Sequence, residues 1–118
     1  MRQVHNPKVT NILLKIFRKE TGHYPSIKKP IQSTELCEII EVELGDKKPP
    51  ATIRKSINFI RENYLAPIGS NKNGYYICES EGDFEETSLH LLCRIRSLQD
   101  ALFGIEKMKV DFLNNKPA

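Results

Sequence analysis

The stretch from Ser33 to Ser80 constrains this chain most, because two short amphipathic helical patterns run there directly into a turn-rich hairpin pattern with Lys72 at its tip. In the second helical pattern, Pro50 to Asn63, Ile53, Ile57 and Ile60 recur at i, i+4, i+7 and share one face. Arg54, Lys55 and Asn58 fall on the opposite face, so one helix carries a side to be buried and a cationic, amide-bearing side.

The flanking residues supply the punctuation. Asn6-Pro7 reads as an N-cap followed by proline at the first helical position, and Val9, Ile12, Leu13, Ile16 and Phe17 continue as an i, i+3, i+4 stripe. Gly22 fits a helix stop, and the loop from His23 to Pro30 holds two prolines. A short extended piece around Ile31 is expected to pair with the later hairpin. Ser33 is expected to cap the next helix, which turns Leu36, Ile39 and Ile40 inward and stops at Gly45. The connection that follows, ending in Pro49-Pro50, is longer than the tightest helix-turn-helix link. Strand-like runs at Tyr64–Ile68 and Tyr75–Cys78 then flank the turn residues Gly69 to Gly74. Tyr75 and Tyr76 alternate across the second strand, which predicts one in the core and one outward.

From Glu81 to Asn115 there is no proline and glycine stands only at Gly82 and Gly104, which predicts one long helix from about Asp83 to Phe112, roughly 45 Å in length. Its apolar positions alternate in steps of four and three: Phe84, Leu91, Ile95, Leu98, Leu102, Ile105 and Phe112, with breaks at Ser88 and Lys109. This is a coiled-coil seam. Leu91, Ile95, Leu98, Leu102 and Ile105 are therefore the expected dimerisation residues, against the alternative of a helix folded back over the first one. Such a stripe left in water would exceed what monomers usually expose. The acids Glu81, Asp83, Glu85 and Glu86 crowd its first turns, where they complement the helix dipole.

With 118 residues, 39% of them hydrophobic, the chain has room for one compact domain and one long appendage. The expected division is a domain over residues 1–80, a long helix over 81–114 and a disordered tail over 115–118. Charge is uneven: 13 Lys/Arg against 8 Asp/Glu in residues 1–80, then 5 against 7 in 81–118. A basic front and a mildly acidic rear suit a nucleic-acid-facing domain joined to a protein-facing segment. No signal-peptide pattern and no apolar run of membrane-spanning length occurs, which predicts a cytoplasmic protein with no membrane partner. Cys37, Cys78 and Cys93 are odd in number and widely spaced, so free thiols are expected rather than a disulfide framework.

The residues from Ile31 to Ser80 resemble the winged helix-turn-helix modules found at the front of the biotin ligase repressor and in many small phage, prophage and plasmid proteins. The resemblance rests on Ser33 to Leu36 opening the second helix, Thr52 to Arg61 as the third, and Pro67 to Ile77 as the wing. Glu85 to Leu102 also resembles the helix that follows the wing in small phage-type members. The resemblance implies a mainly α winged helix-turn-helix with a small β-hairpin and a long C-terminal helix, a third helix that reads double-stranded DNA, Lys72 on the minor-groove or backbone side, and no enzymatic domain. Two departures stand out: the long connection before the third helix, and an acidic second helix carrying Glu35, Glu38, Glu41 and Glu43, whose carboxylates must point away from a phosphate backbone.

Within the third helix, Arg54 and Asn58 suit base edges, since guanidinium matches guanine and amide matches adenine, while Lys55 and Arg61 suit phosphates. Thr52 suits a phosphate or a thymine methyl. Phe59 lies off the apolar stripe and is expected to pack beneath the wing. On an arbitrary helix such polar residues would be an ordinary solvated face; the hairpin that follows is what shifts the reading. His90 and Cys93 are spaced to share a metal, but without further ligands a surface pair is the better reading. No nucleophile–base set, phosphate loop or carboxylate pair can be assembled, so neither catalysis nor a cofactor is implied.

The expected function is sequence-specific DNA binding by a homodimer, as a small transcriptional regulator or phage- or plasmid-type protein, with half-sites roughly 34 Å apart. The alternative is a non-catalytic assembly adaptor that docks an acidic protein on the third-helix face.

Overall fold

A computed structural model of the chain describes residues 5–115. The fold is mainly helical, with one small antiparallel hairpin and a long C-terminal helix. It falls into two compact units, residues 1–87 and 88–118, so the division comes later than the expected break after residue 80.

The first unit begins with helix α1, Pro7–Ile16. The Asn6 side chain accepts from the N–H groups of Lys8 and Val9, and Pro7 occupies the first turn, where a missing N–H costs nothing. The helix stops at Ile16, earlier than Gly22 suggests; a 3-10 turn, Lys19–Thr21, follows, and Gly22 ends that turn in the left-handed conformation. The loop then reaches Ile31, whose N–H and C=O exchange bonds of 2.9 and 2.8 Å with Tyr75, as the extended piece was expected to do.

Helix α2 spans Ser33–Leu44 and helix α3 spans Pro50–Glu62. The residue before α2 is Gln32, and no side chain caps it, so the expected Ser33 cap is corrected: Ser33 is already the first helical residue. Gly45 ends α2 in the left-handed conformation that favours glycine. Strands β1, Ile68–Asn71, and β2, Gly74–Ile77, pair Ile68 with Ile77, Gly69 with Tyr76, Ser70 with Tyr75 and Asn71 with Gly74. The expected first strand over Tyr64–Ile68 is therefore displaced toward the C-terminus. Tyr64 turns into a left-handed conformation and is almost fully exposed, and Gly69 to Asn71, read as loop, carry the ladder. The turn shrinks to Lys72-Asn73.

The core is one cluster. Val9, Ile12, Leu13 and Phe17 come from α1 and the residue runs after it, Leu36 and Ile40 from α2, Ile53, Ile57 and Ile60 from α3, and Ile68 and Ile77 from the hairpin. Helix α3 packs on both α1 and α2, which fixes its buried face and leaves the opposite one available.

Helix α4 runs from Glu81 to Asn114, at ~1.5 Å per residue about 50 Å long. Its start is built by Ser80, whose hydroxyl accepts from the Asp83 N–H, while the Asp83 carboxylate accepts from the Glu79 N–H at 2.8 Å. Thr87 lies on its buried side: the hydroxyl donates to the Asp83 carbonyl, accepts from the Ser70 N–H and lies 3.0 Å from the Tyr76 hydroxyl. That polar knot belongs to the first unit. In the second unit Leu89, Leu92, Ile95, Leu98, Leu102, Phe103 and Ile105 are each half or more exposed. Asn115 still donates its N–H to the Asp111 carbonyl; the rest of the expected tail, residues 116–118, lies outside the described residues. Cys37, Cys78 and Cys93 are all unpaired thiols.

Candidate nucleic-acid interface

Helical spacing sorts the polar residues of α3 into two rows on either side of its solvent face. Arg54, Asn58 and Arg61 follow one another at i, i+4, i+7, on the side nearer the hairpin; Thr52, Lys55 and Phe59 form the other row, on the side nearer the start of α1. Arg54 and Lys55 are exposed, and Thr52 and Asn58 are half-buried.

The hairpin end of the first row is fixed by Arg61. Its Nε donates to the Ile68 carbonyl at 2.7 Å and a terminal nitrogen donates to the Ser70 hydroxyl at 3.1 Å. Arg61, of which a phosphate role was expected, is half-buried and directs its guanidinium to β1, where it helps to hold the hairpin against α3. The reason is register. The ladder starts at Ile68, and Arg61 sits in the last turn of α3, within hydrogen-bond reach of the carbonyl there.

Lys72 stands exposed at the hairpin tip. The tip is stiffened by Asn71, whose side-chain oxygen accepts from the Asn73 N–H at 2.8 Å, and by Gly74. Gly74 has φ +136°, and a Cβ there would come within 2.5 Å of the Ile31 carbonyl, so the pairing with Ile31 requires glycine. Tyr76 is fully buried and Tyr75 half-buried, which gives the expected alternation in part, since Tyr75 is also drawn against the core by its bridge to Ile31. Burial raises the ionisation of both the Tyr76 phenol and the Cys78 thiol above their ordinary values.

The other row borders a cleft of about 900 Å³ that sequence reasoning missed. Thr52 and Lys55 line it together with Lys8 at the start of α1 and Lys47 and Lys48 from the α2–α3 connection. Lys48 is held by Asp46 at 2.8 Å, and the ammonium beside it keeps the Asp46 carboxyl below its usual range. The wall is thus cationic on three separate elements, a property suited to an anionic backbone. The signal was present in Lys47-Lys48, adjacent cations in the connection that brings them to the cleft. Phe59 is also placed differently from expectation. It stacks on the His5 ring at a centroid distance of 3.6 Å and an interplanar angle of 17°, rather than under the wing, and His5 is in turn anchored 2.8 Å from the Thr10 hydroxyl.

The four carboxylates of α2, on Glu35, Glu38, Glu41 and Glu43, are all exposed. Among the described residues no group of three or more His, Cys, Asp or Glu gathers as a metal site, and His90 and Cys93 have no third ligand beside them. No helix among the described residues is long and apolar enough to cross a membrane. No protein-family profile, curated protein or solved structure matches the chain.

Proposed function

We propose that this chain is a sequence-specific double-stranded-DNA-binding protein that acts as a homodimer, with α3 as the helix that enters the major groove and the β1–β2 hairpin as a wing. The observation that carries the reading is the row formed by exposed Arg54 and half-buried Asn58, one turn apart, which runs toward a hairpin fastened to the same helix through Arg61. A guanidinium and an amide at that spacing match the acceptor pair of guanine and the donor–acceptor pair of adenine. Lys55, with Lys8 and Lys47 across the cleft, supplies charge for phosphates on one side, and Lys72 supplies it on the other. Regulation of transcription, or a phage- or plasmid-type role on DNA, is the setting such a protein fits.

A second reading is supported by α2, where four exposed carboxylates accompany Val42, which is 85% exposed. An apolar residue framed by acids suits a basic protein partner and an assembly role. Selection of bound duplexes from a random pool at two salt concentrations separates the two readings. A DNA reader enriches a defined sequence and loses affinity steeply as salt rises. Failure to retain any duplex at low salt would remove the first reading and leave the second.

A further inference from the structure

We infer that α4 pairs with α4 of a second copy in antiparallel fashion, centred at the level of Asp100, rather than as a parallel coiled coil. This deepens the homodimer within the proposed function by fixing its partner surface and its polarity. The need for a cover comes from exposure: Leu98, Leu102 and Phe103 are 68%, 60% and 73% exposed, and they belong to a stripe that continues along the second unit.

What decides the polarity is the placement of the two breaks in that stripe. In a parallel in-register pair every seam residue meets its own copy, so Lys109 would face Lys109 inside the seam and Ser88 would face Ser88. Two ammonium groups would share one layer with no acid beside them on the seam. Reversing one helix about Asp100 sets Leu98 against Leu102, Ile95 against Ile105, Leu91 against Lys109 and Ser88 against Phe112. Each break then meets an apolar partner, and the Lys109 stem lies along Leu91 while its head reaches water.

The flank beside the seam gives the same answer independently. Leu92, Arg96, Gln99, Phe103, Glu106 and Val110 lie along one side of the seam at helical spacing. In an antiparallel pair this flank faces itself. The same register brings Leu92 to within two residues of level with Val110, Arg96 with Glu106 and Gln99 with Phe103, an axial offset of about 3 Å that the long Arg96 and Glu106 side chains span, with the ionic pair occurring twice by symmetry. In a parallel pair the flank faces the opposite one instead, where Arg94 would meet Gln99 and Ala101 would meet Glu106, and no opposite charges come together. Charge complementarity therefore selects a second copy, and it selects the reversed one.

The test uses the full chain with Cys37→Ser and Cys93→Ser, buried Cys78 retained, and a spin label at Asn114→Cys. Antiparallel pairing separates the two labels by about 40 Å along the helix axis, whereas parallel pairing holds them roughly 10 Å apart plus the label tethers. A short distance overturns the inference, as does a chain that remains monomeric in sedimentation at tens of micromolar. In parallel, Arg96→Glu alone and Glu106→Arg alone should each weaken self-association about tenfold, and the double exchange should restore it to within about threefold. Absence of that rescue overturns the register. DNA is not read in either measurement: a monomer that still selects a duplex sinks the pairing alone, and a reversed dimer that selects none sinks the DNA reading alone.

Discussion

Arg61 and Ile68 are joined by a hydrogen bond of 2.7 Å from the guanidinium Nε to the strand carbonyl, and this bond ties the last turn of α3 to the first residue of β1. A second bond, to Ser70, uses the same planar fork. This side chain therefore adds a polar tie between α3 and the hairpin to the apolar packing of Ile68 and Ile77 against Ile53, Ile57 and Ile60. Arg61→Met keeps much of the aliphatic stem and removes both donors, which leaves the Ile68 carbonyl without this partner. The expected loss is about 2 kcal/mol of unfolding free energy, read from the midpoint of urea denaturation. Arg61→Lys should recover little of it, because a point ammonium cannot hold two acceptors in the geometry of the fork. A midpoint unchanged in both variants would show the bond to be dispensable.

Gly69 lies where the hairpin meets the start of α4. A Cβ there would stand 2.5 Å from the Thr87 hydroxyl and the Tyr76 ring and 2.6 Å from the Cys78 sulfur, all of them buried. None of the three is the loose end of a flexible side chain, so Gly69→Ala must displace β1 or the first turns of α4. Overpacking of this kind costs on the order of 3 kcal/mol. Gly82→Ala, where only the Ser80 hydroxyl comes within reach at 3.8 Å, is the control, and it should leave stability unchanged or slightly raised. Comparable thermal midpoints for the two variants would contradict the close approach at Gly69.

Burial of Tyr76 and Cys78 makes stability depend on alkaline pH in a definite direction. Both groups are neutral when protonated, and desolvation raises both ionisations in the folded chain. The unfolded chain releases these protons at the ordinary values of 9.0 for the thiol and 10.0 for the phenol, so above those values it binds fewer protons than the folded chain. The contribution is thus complete below about pH 9 and is lost as pH climbs through the ordinary values toward the raised ones. Urea unfolding from about pH 8 to about pH 11 should show Cys78→Ala flattening the earlier part of the decline and Tyr76→Phe the later part. Parallel curves for the parent and both variants would mean that neither group carries the effect.

Much of the first unit was legible because its signals are local. The Asn6-Pro7 cap, the isoleucine row of α3 and the stop at Gly45 each depend on residues within a turn or two of one another. A pairing of the segment around Ile31 with the hairpin was also foreseeable from an apolar residue that follows a proline-rich loop, though not that Tyr75 is its partner. What escaped was decided at long range. The ladder begins at Ile68 and not at Tyr64, and it brings Gly69 close against Thr87, a residue of α4 whose burial no periodicity reveals. Phe59 found His5 rather than the wing, a contact between residues far apart in the chain and joined only by the packing of α1 on α3. Of the six residues expected to meet DNA, Thr52, Arg54, Lys55, Asn58 and Lys72 retain solvent access, while Arg61 turns to the hairpin; Lys8, Lys47 and Lys48 were unforeseen because their proximity to Lys55 arises from three elements meeting.

The proposed division of labour between α3 and the hairpin makes the sharpest functional prediction. Arg54 projects into solvent at the head of its helical row, one turn before half-buried Asn58, where a fork donor would discriminate one base from another, whereas Lys72 stands in a two-residue turn and offers a point charge. Arg54→Ala should therefore relax preference at one position of the selected sequence, costing about 1–3 kcal/mol against the preferred base and much less against others. Lys72→Ala should weaken all duplexes by a similar factor and reduce the dependence of log affinity on log salt by about one. Titration of each variant against the selected duplex, a single-base variant and an unrelated duplex, at two ionic strengths, reads both effects. Equal loss of discrimination in the two variants would mean that the wing takes part in reading bases and that the assignment of roles made from α3 is wrong.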